Sequence, residues 1–138
     1  MRKQFLLFLL LMLLPSVASA EAVKIGDLWY NLNTTDMSAE VTHGDDTESL
    51  TGEVVIPSSV QYNEESYTVT AIGDAAFMEC ENVTSITIPN SVTIIGGMAF
   101  EGCPNLTSIV IPNSVTSLGE YNQEIKGKTN VEIIPVSA

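Results

Sequence analysis

The sequence predicts a β-dominated architecture: a solenoid in which short parallel strands of 23-residue repeats stack behind an N-terminal antiparallel β cap. The first observation is that residues 69–91 and 92–114 are identical at 15 of 23 aligned positions. The second is that each copy has isoleucines at alternate positions, as in Ile86 and Ile88, which is typical of a short strand. A unit this short cannot bury its own apolar face, so successive copies must stack.

Residues 1–20 are predicted to be a secretory signal peptide. A basic start precedes an unbroken apolar run from residue 5 to residue 14, and residues 18–20 read Ala-Ser-Ala, a small-residue cleavage site. The run is too short to cross a membrane as a helix, and no later segment is long and apolar enough. Because Glu21 follows the cleavage site, no cysteine is available there for a lipid. We expect the mature protein to be secreted, periplasmic or associated with the cell surface.

Residues 21–53 are predicted to form the cap. Its strands are expected where short segments alternate between apolar and polar residues, at 23–25, 28–32 and 39–42. A Gly-Asp pair between the first two segments indicates a β-hairpin. Trp29 and Tyr30 are expected to form the core and the edge of this cap. We expect the cap to cover the open first repeat, because an exposed edge strand pairs readily with other chains.

The repeats are predicted to occupy residues 54–119, followed by a degenerate terminal repeat at 120–138, where Gln123 and Lys126 replace the phenylalanine and the cysteine of the earlier copies. The additional polar residues 61–68 indicate a hairpin or a loop. The prolines are expected to end the strands, and the repeated glycines to occupy tight turns. The positions expected to face the interior are occupied by apolar residues or cysteine in each copy: Ile72, Phe77, Val83, Ile86, Ile88, Val92, Ile95, Phe100, Cys103, Leu106, Ile109 and Ile111.

One motif recurs with rigid spacing through these copies. It has the form LxxIxIPxSVxxIGxxAFxxC and is read here as LTSIVIPNSV at 106–115 and IGGMAFEGC at 95–103. The motif resembles the BspA-like subclass of leucine-rich repeats. The resemblance implies a curved, right-handed solenoid with a concave parallel sheet, in an exported bacterial protein. It also implies a surface role, since some members of that family are adhesins toward host matrix proteins or other cells.

The charge of the chain excludes several partner classes. Beyond residue 20 the chain has 3 lysines and 17 acidic residues, which gives a formal charge of 3 − 17 = −14. Such a chain repels nucleic-acid phosphates and anionic membrane surfaces. We therefore expect no nucleic-acid partner and no membrane insertion after signal removal.

Catalysis is not predicted, and neither a cofactor nor a metal site is expected. The single histidine, His43, lies in a predicted surface loop without a positioned set of partners. The acidic residues beside it, from Asp45 to Glu48, lack the spacing of a dedicated calcium loop. The chain is therefore interpreted as a non-catalytic protein.

Cys80 and Cys103 occupy the same position in consecutive repeats. Stacking would bring them within reach of one another, in a compartment where a disulfide is permitted. Their position after the buried phenylalanine also suits two small buried thiols. Both alternatives, a thiol ladder and a disulfide, stay open from the sequence.

The candidate binding surface consists of the outward-facing strand positions. Strand alternation predicts one column of Glu53, Ser85, Ser108 and Val131, and a second column of Val55, Thr87, Val110 and Ile133. From these columns we select Val55, Ser85, Thr87, Ser108, Val110 and Ile133 as candidate binding residues. One residue conflicts with the alignment, because Glu132 falls at an inward position. Either the last repeat slips by one residue, or it faces water.

The predicted function is that of an exported binding module that recognises a protein or a glycan through the solenoid surface. The alternative is a structural protein that associates with itself through the open C-terminal edge and has no separate ligand.

Overall fold

The computed structural model describes residues 21–120, residue 122 and the strand Val131–Ile134. The predicted signal peptide, Gln123 and Lys126 lie outside these residues. The described chain contains eleven strands and one short 3-10 helix, Thr47–Ser49. The strands form two sheets, which we call the repeat sheet and the long sheet.

The repeat sheet is parallel and takes one strand from each repeat. Its strands are β4 (Thr51–Val55), β7 (Asn82–Thr87), β9 (Ser108–Pro112) and β11 (Val131–Ile134), in the spatial order β11-β9-β7-β4. The register aligns Val54 with Ile86 and Ile86 with Ile109, as the repeat alignment predicts. The stacking of consecutive copies is therefore confirmed.

The long sheet begins in the cap and continues along the repeats. Its strands are β1 (Val23–Ile25), β2 (Leu28–Asn33), β3 (Ser38–Thr42), β5 (Ser59–Tyr62), β6 (Glu65–Ile72), β8 (Ile94–Ile95) and β10 (Ser117–Leu118). The order is β1-β2-β3-β6-β8-β10, and β5 pairs with β6. The predicted cap hairpin is confirmed by the antiparallel pairing of β1 with β2. The predicted additional hairpin is β5–β6, whose turn residues Asn63 and Glu64 both have positive φ.

A third side of the solenoid carries the A-F-x-x-C segments. Here main-chain N–H groups of one repeat donate to carbonyls of the next, 22 residues on, at 2.8 to 2.9 Å: Ala75 to Gly97, Phe77 to Ala99, and Glu79 to Glu101. Every second residue makes such a bond, as in a ladder between parallel strands. These bonds hold consecutive repeats together where neither sheet does.

The core is the stack of apolar columns that the repeats predict. All twelve residues expected to face the interior are buried, with exposed fractions of 8% or less. The columns include Phe77 with Phe100, whose rings stack, and Cys80 with Cys103. In the cap, Tyr30 is buried in the core, whereas Trp29 is half-buried.

The glycine column allows the backbones of consecutive repeats to approach one another. A Cβ on Gly96 would lie 2.5 Å from the main-chain nitrogen of Asp74, and one on Gly119 would lie 2.3 Å from that of Gly97. Distances this short leave no room for a side chain. The glycines are thus required by the close stacking of the turns.

The last repeat differs from the predicted register. The parallel pairing places Val131 beside Ile109, Glu132 beside Val110, and Ile133 beside Ile111. The strand has slipped by one residue, which was one of the two alternatives for Glu132. The assignment of Ile133 to the outer column beside Val110, and of Val131 to the column of Ser108, is therefore wrong.

The cap continues the long sheet and leaves the repeat sheet uncapped at β4. The cap strand β3 pairs parallel with β6, so β1, β2 and β3 extend the long sheet beyond the first repeat. In the described chain β4 pairs only with β7 and ends the repeat sheet. The predicted domain boundaries at residues 20, 53 and 119 stay predictions.

Candidate functional site

The outer face of the repeat sheet brings five of the six candidate residues together. The register pairs Glu53 with Ser85 and Ser85 with Ser108, and it pairs Val55 with Thr87 and Thr87 with Val110. We call these two rows the outer columns. The predicted fourth members do not join them, because the register places Val131 beside Ile109 and Ile133 beside Ile111.

Apart from Glu53, the side chains of the outer columns are short, and they are accessible to different extents. Val55 is 69% exposed, Thr87 and Ser108 are exposed, and Ser85 and Val110 are half-buried. Parallel strands place successive members of a column about 4.8 Å apart. The face thus presents hydroxyl groups and β-branched methyl groups in a regular array. Such an array can contact an extended ligand.

A concave feature lies at the N-terminal end of the solenoid. It is a groove of about 640 Å³ between the β1–β2 hairpin, strand β4 and strand β5. Residues Ile25, Leu50, Val55 and Pro57 contribute apolar surface, whereas Asp27, Asp46 and Glu53 contribute carboxylates. We call this cavity the edge groove, because the terminal strand of the repeat sheet forms one of its walls.

An ion pair connects the cap hairpin to the loop that follows β3 at this groove. The Lys24 ammonium donates to one carboxylate oxygen of Asp46, and Trp29 Nε1 donates to the other at 2.7 Å. These two hydrogen bonds hold the pKa of Asp46 below its usual value. Asp46 is thus engaged in joining the hairpin to the loop. In the described part of the chain, no group of three His, Cys, Asp or Glu side chains is arranged to hold a metal ion.

His43 is half-buried, which corrects the expectation of a solvated loop residue. Its Nε2 lies 3.8 Å from a carboxylate oxygen of Glu48. Its Nδ1 is buried and has no hydrogen-bond partner among the described residues. Among the described residues, Nδ1 bonds to no serine or cysteine and Nε2 faces a carboxylate, so this geometry gives no triad.

Cys80 and Cys103 are both buried thiols in this structure, which corresponds to the ladder alternative. The Cys80 thiol donates to the carbonyl oxygen of Thr47 at 3.4 Å, and the Cys103 thiol donates to that of Phe77 at 3.0 Å. The hydrogen bond with Cys103, together with burial, raises the pKa of Cys80. A raised pKa disfavours the thiolate, so the pair has the character of core residues.

Sequence reasoning identified the outer columns but missed the edge groove. The columns follow from the repeat period, which a single sequence displays. The groove forms because two sheets end at different places, and its ion pair joins residues 24 and 46. The local sequence pattern around either residue does not predict that contact.

Comparison with known proteins agrees with this architecture. Residues 57–135 match the family model of the BspA type leucine rich repeat region in six copies. No curated protein matches the chain. Within residues 21–120 and 122, no helix is long and apolar enough to cross a membrane.

Several solved structures of bacterial proteins are similar to this chain. A leucine-rich repeat protein from Bacteroides ovatus ATCC 8483 is 34% identical, with a TM-score of 0.69 over 82% of this chain and 29% of that protein. A leucine rich cell surface protein from Faecalibacterium prausnitzii A2-165 is 31% identical, with a TM-score of 0.60 over 74% of this chain and 27% of that protein. A leucine-rich repeat protein from Bacteroides capillosus ATCC 29799 is 26% identical, with a TM-score of 0.63 over 85% and 99% of the two chains. The chain therefore spans less than a third of the first two proteins.

Proposed function

The chain belongs to the BspA-type leucine-rich-repeat family, and we propose that it is an exported, non-catalytic binding module that recognises a protein or a glycan. The proposed contact surface is formed by the outer columns of the repeat sheet. This proposal concerns residues Val55, Ser85, Thr87, Ser108 and Val110.

The observation that carries the proposal is the register of the second outer column. Val55, Thr87 and Val110 stand side by side on three consecutive strands, and Val55 keeps 69% of its surface exposed. An aligned row of β-branched side chains on an outer sheet face exposes apolar surface to water, and a ligand can cover that surface. The neighbouring serines add hydrogen-bonding groups of small size. Together they suit an extended ligand that lies across the strands.

The proposed location outside the cytoplasm has two supports. One is the basic, apolar and small-residue pattern of residues 1–20, which is typical of a secretory signal. The other is the similar protein from Faecalibacterium prausnitzii, which is described as a cell surface protein. A binding module exposed to the surroundings of the cell is consistent with both.

The experiment is a binding assay with purified residues 21–138 on immobilised extracellular matrix proteins and on a glycan array. Thr87→Glu places a bulky charge in the middle of the second outer column. Ile94→Glu is the matched control, because Ile94 is also an exposed strand residue, 50% exposed, but lies on the long sheet. We expect saturable binding that Thr87→Glu abolishes and Ile94→Glu preserves. Absence of saturable binding, or equal losses in both variants, would contradict the proposed surface.

The second candidate function is self-association through the C-terminal edge. It is supported by the position of β11, which ends the repeat sheet in the described chain. Such an edge strand can pair with a strand of another copy. Sedimentation velocity over a wide concentration range tests this candidate. Association that increases with concentration supports it, and a monomer at every concentration rules it out.

A further inference from the structure

We infer that the edge groove binds an extended, basic segment of a partner protein, which adds to β4 as a further strand. The groove shares Glu53 and Val55 with the outer columns, but the inference does not depend on ligand binding across those columns. The ligand class is a peptide in β conformation that carries lysine or arginine.

The first argument comes from the unequal ends of the two sheets. The long sheet continues through β3, β2 and β1 beyond the first repeat, whereas the repeat sheet ends at β4. The cap thus forms a wall on one side of the solenoid and leaves a strand edge uncovered on the other. The groove lies in the resulting space, and β4 lines it.

The second argument concerns the main-chain groups of β4. The N–H of Ile56 donates to the carbonyl oxygen of Thr87 at 3.0 Å, so the main-chain N–H and C=O groups of Ile56 point toward β7. Main-chain direction alternates along a strand, and the N–H and C=O groups of Val55 therefore point away from β7. Glu53 shares that direction. In the described chain no other strand pairs with this edge, which leaves a row of donors and acceptors for an incoming strand.

The third argument is the size and shape of the space. A strand that joins β4 lies about 4.8 Å from it, with side chains directed alternately to the two faces. The groove has a volume of about 640 Å³, which lies within the range of ligand-binding cavities. Ile25 and Val55 supply apolar surface at its walls. The space can therefore receive the main chain and some apolar side chains of a short peptide.

The charge of the groove selects the partner. The groove is lined by Asp27, Asp46 and Glu53, and by one basic residue, Lys24, whose ammonium is bonded to Asp46. Lys24 is also the only lysine or arginine in residues 21–120 and 122. The carboxylates of Asp27 and Glu53 thus have no basic side chain of the described chain to offset them. A lysine or arginine on the partner would supply the missing charge.

The same charge argues against a second copy of this chain as the occupant. Two copies with a formal charge of −14 each beyond residue 20 repel one another at low ionic strength. A glycan would not use the spacing of main-chain donors and acceptors along β4. A basic strand from another protein uses the edge, the apolar surface and the charge together.

The test uses synthetic peptides as probes and residues 21–138 as the receptor, with isothermal titration calorimetry as the measurement. The first probe is a blocked peptide of alternating valine and lysine. The second has glutamate in place of lysine. The third keeps the lysines but has alternate main-chain nitrogens methylated, in two versions that block either edge of the peptide. The lysine peptide and one methylated version should bind with similar affinity. The glutamate peptide and the other methylated version should bind at least about tenfold more weakly, which corresponds to ~1.4 kcal/mol.

Variants of the receptor test whether the peptide binds in the edge groove. Glu53→Gln should weaken binding of the lysine peptide about fivefold to tenfold, in the range expected for loss of a charge pair across an interface. Glu101→Gln is the matched control, because it removes the same charge from an exposed position on the third side. Val55→Pro removes the outward N–H of β4 and should abolish binding. Circular dichroism checks that each variant folds, and Glu53→Gln provides the test if Val55→Pro does not fold.

Three outcomes would overturn the inference: no binding of the lysine peptide, equal binding of both methylated versions and the parent peptide, or equal effects of Glu53→Gln and Glu101→Gln. Thr87→Glu distinguishes peptide binding in the groove from ligand binding across the outer columns, because Thr87 belongs to a column but does not line the groove. If that variant loses matrix or glycan binding but keeps the peptide, both sites stand. If peptide binding fails while Thr87→Glu still abolishes another binding activity, only the edge groove is refuted.

Discussion

The ring of Phe77 lies on the ring of Phe100, with centroids 5.9 Å apart and planes 4° from parallel. The two residues are 23 positions apart and occupy the same place in consecutive repeats. Their stack shows that residues one repeat period apart in the sequence lie next to one another in the core. Each ring fills space that its own repeat could not enclose.

The phenylalanine column should account for a large share of the stability. Phe100→Ala removes a ring that is 2% exposed and stacked on its neighbour. The expected loss in unfolding free energy is ~3–5 kcal/mol, because the ring leaves a cavity that the stacked backbone cannot close. Urea denaturation followed by circular dichroism measures the change. Leu118→Ala, at a residue 36% exposed, is the control, and a loss there as large as in Phe100→Ala would contradict the column.

The glycine column makes a different prediction, because it depends on backbone contact. Gly96→Ala would place a Cβ 2.5 Å from the main-chain nitrogen of Asp74. The repeats must separate locally to accept it, and we expect a loss of ~1–3 kcal/mol or more. Gly97→Ala is the matched control, since its Cβ would meet the carbonyl oxygen of Glu120 at 3.2 Å. Thermal unfolding should rank Gly96→Ala below Gly97→Ala, and the reverse order would be evidence against the tight stack.

Repetition explains which features of the fold could be predicted. Two near-identical copies define the period, and the period assigns Phe77, Phe100 and the other buried residues to columns. The two-residue strands β8 and β10 were not predicted, because Ile94–Ile95 is too short to show a strand period. The register of β11 does not follow from the repeat either, because BspA-type spacing would align Ile134 with Ile111, whereas the strand pairs Ile134 with Pro112. There the pairing itself selects the slipped register.

The candidate site divides in the same way. The outer columns follow from alternation along aligned strands, so Ser85, Thr87 and Ser108 could be placed from the sequence. The edge groove depends on β3 pairing with β6, which is a contact between the cap and the repeats. Pairing between distant segments leaves no periodic signal in either of them. The pattern of each segment predicts strands, but it does not predict where each sheet stops.

The cysteine pair should be almost inert in the folded protein. The hydrogen bond with Cys103, together with burial, raises the pKa of Cys80, so little thiolate is present at neutral pH. We expect alkylation by iodoacetamide to be at least about tenfold slower in the native state than in denaturant, because the reaction requires opening of the core. A reference for an accessible thiol is Val55→Cys in a background of Cys80→Ala and Cys103→Ala. Native thiols that react as fast as that reference would contradict the buried ladder.

The contact between Asp46, Lys24 and Trp29 should make the cap sensitive to acid. The two hydrogen bonds lower the pKa of Asp46 in the folded protein below its value in the unfolded chain. The stabilisation that comes from the carboxylate is therefore present above about pH 4, the ordinary value for aspartate, and is lost as the pH falls through the lowered pKa. Trp29 is the only tryptophan in the chain, so its fluorescence reports on this contact directly.

We expect the fluorescence of Trp29 to stay constant from neutral pH down to about pH 4 and to change at lower pH, as the ordinary aspartate value requires. Asp46→Asn should remove that acid transition and alter the emission already at neutral pH, because the ion pair with Lys24 is lost. Asp45→Asn is the matched control, since Asp45 is an exposed neighbour. A transition that persists in Asp46→Asn would assign it to other carboxylates. A midpoint above the ordinary aspartate value would show that the hydrogen bonds do not favour the charged form, and the cap hairpin would then be held to the loop by packing alone.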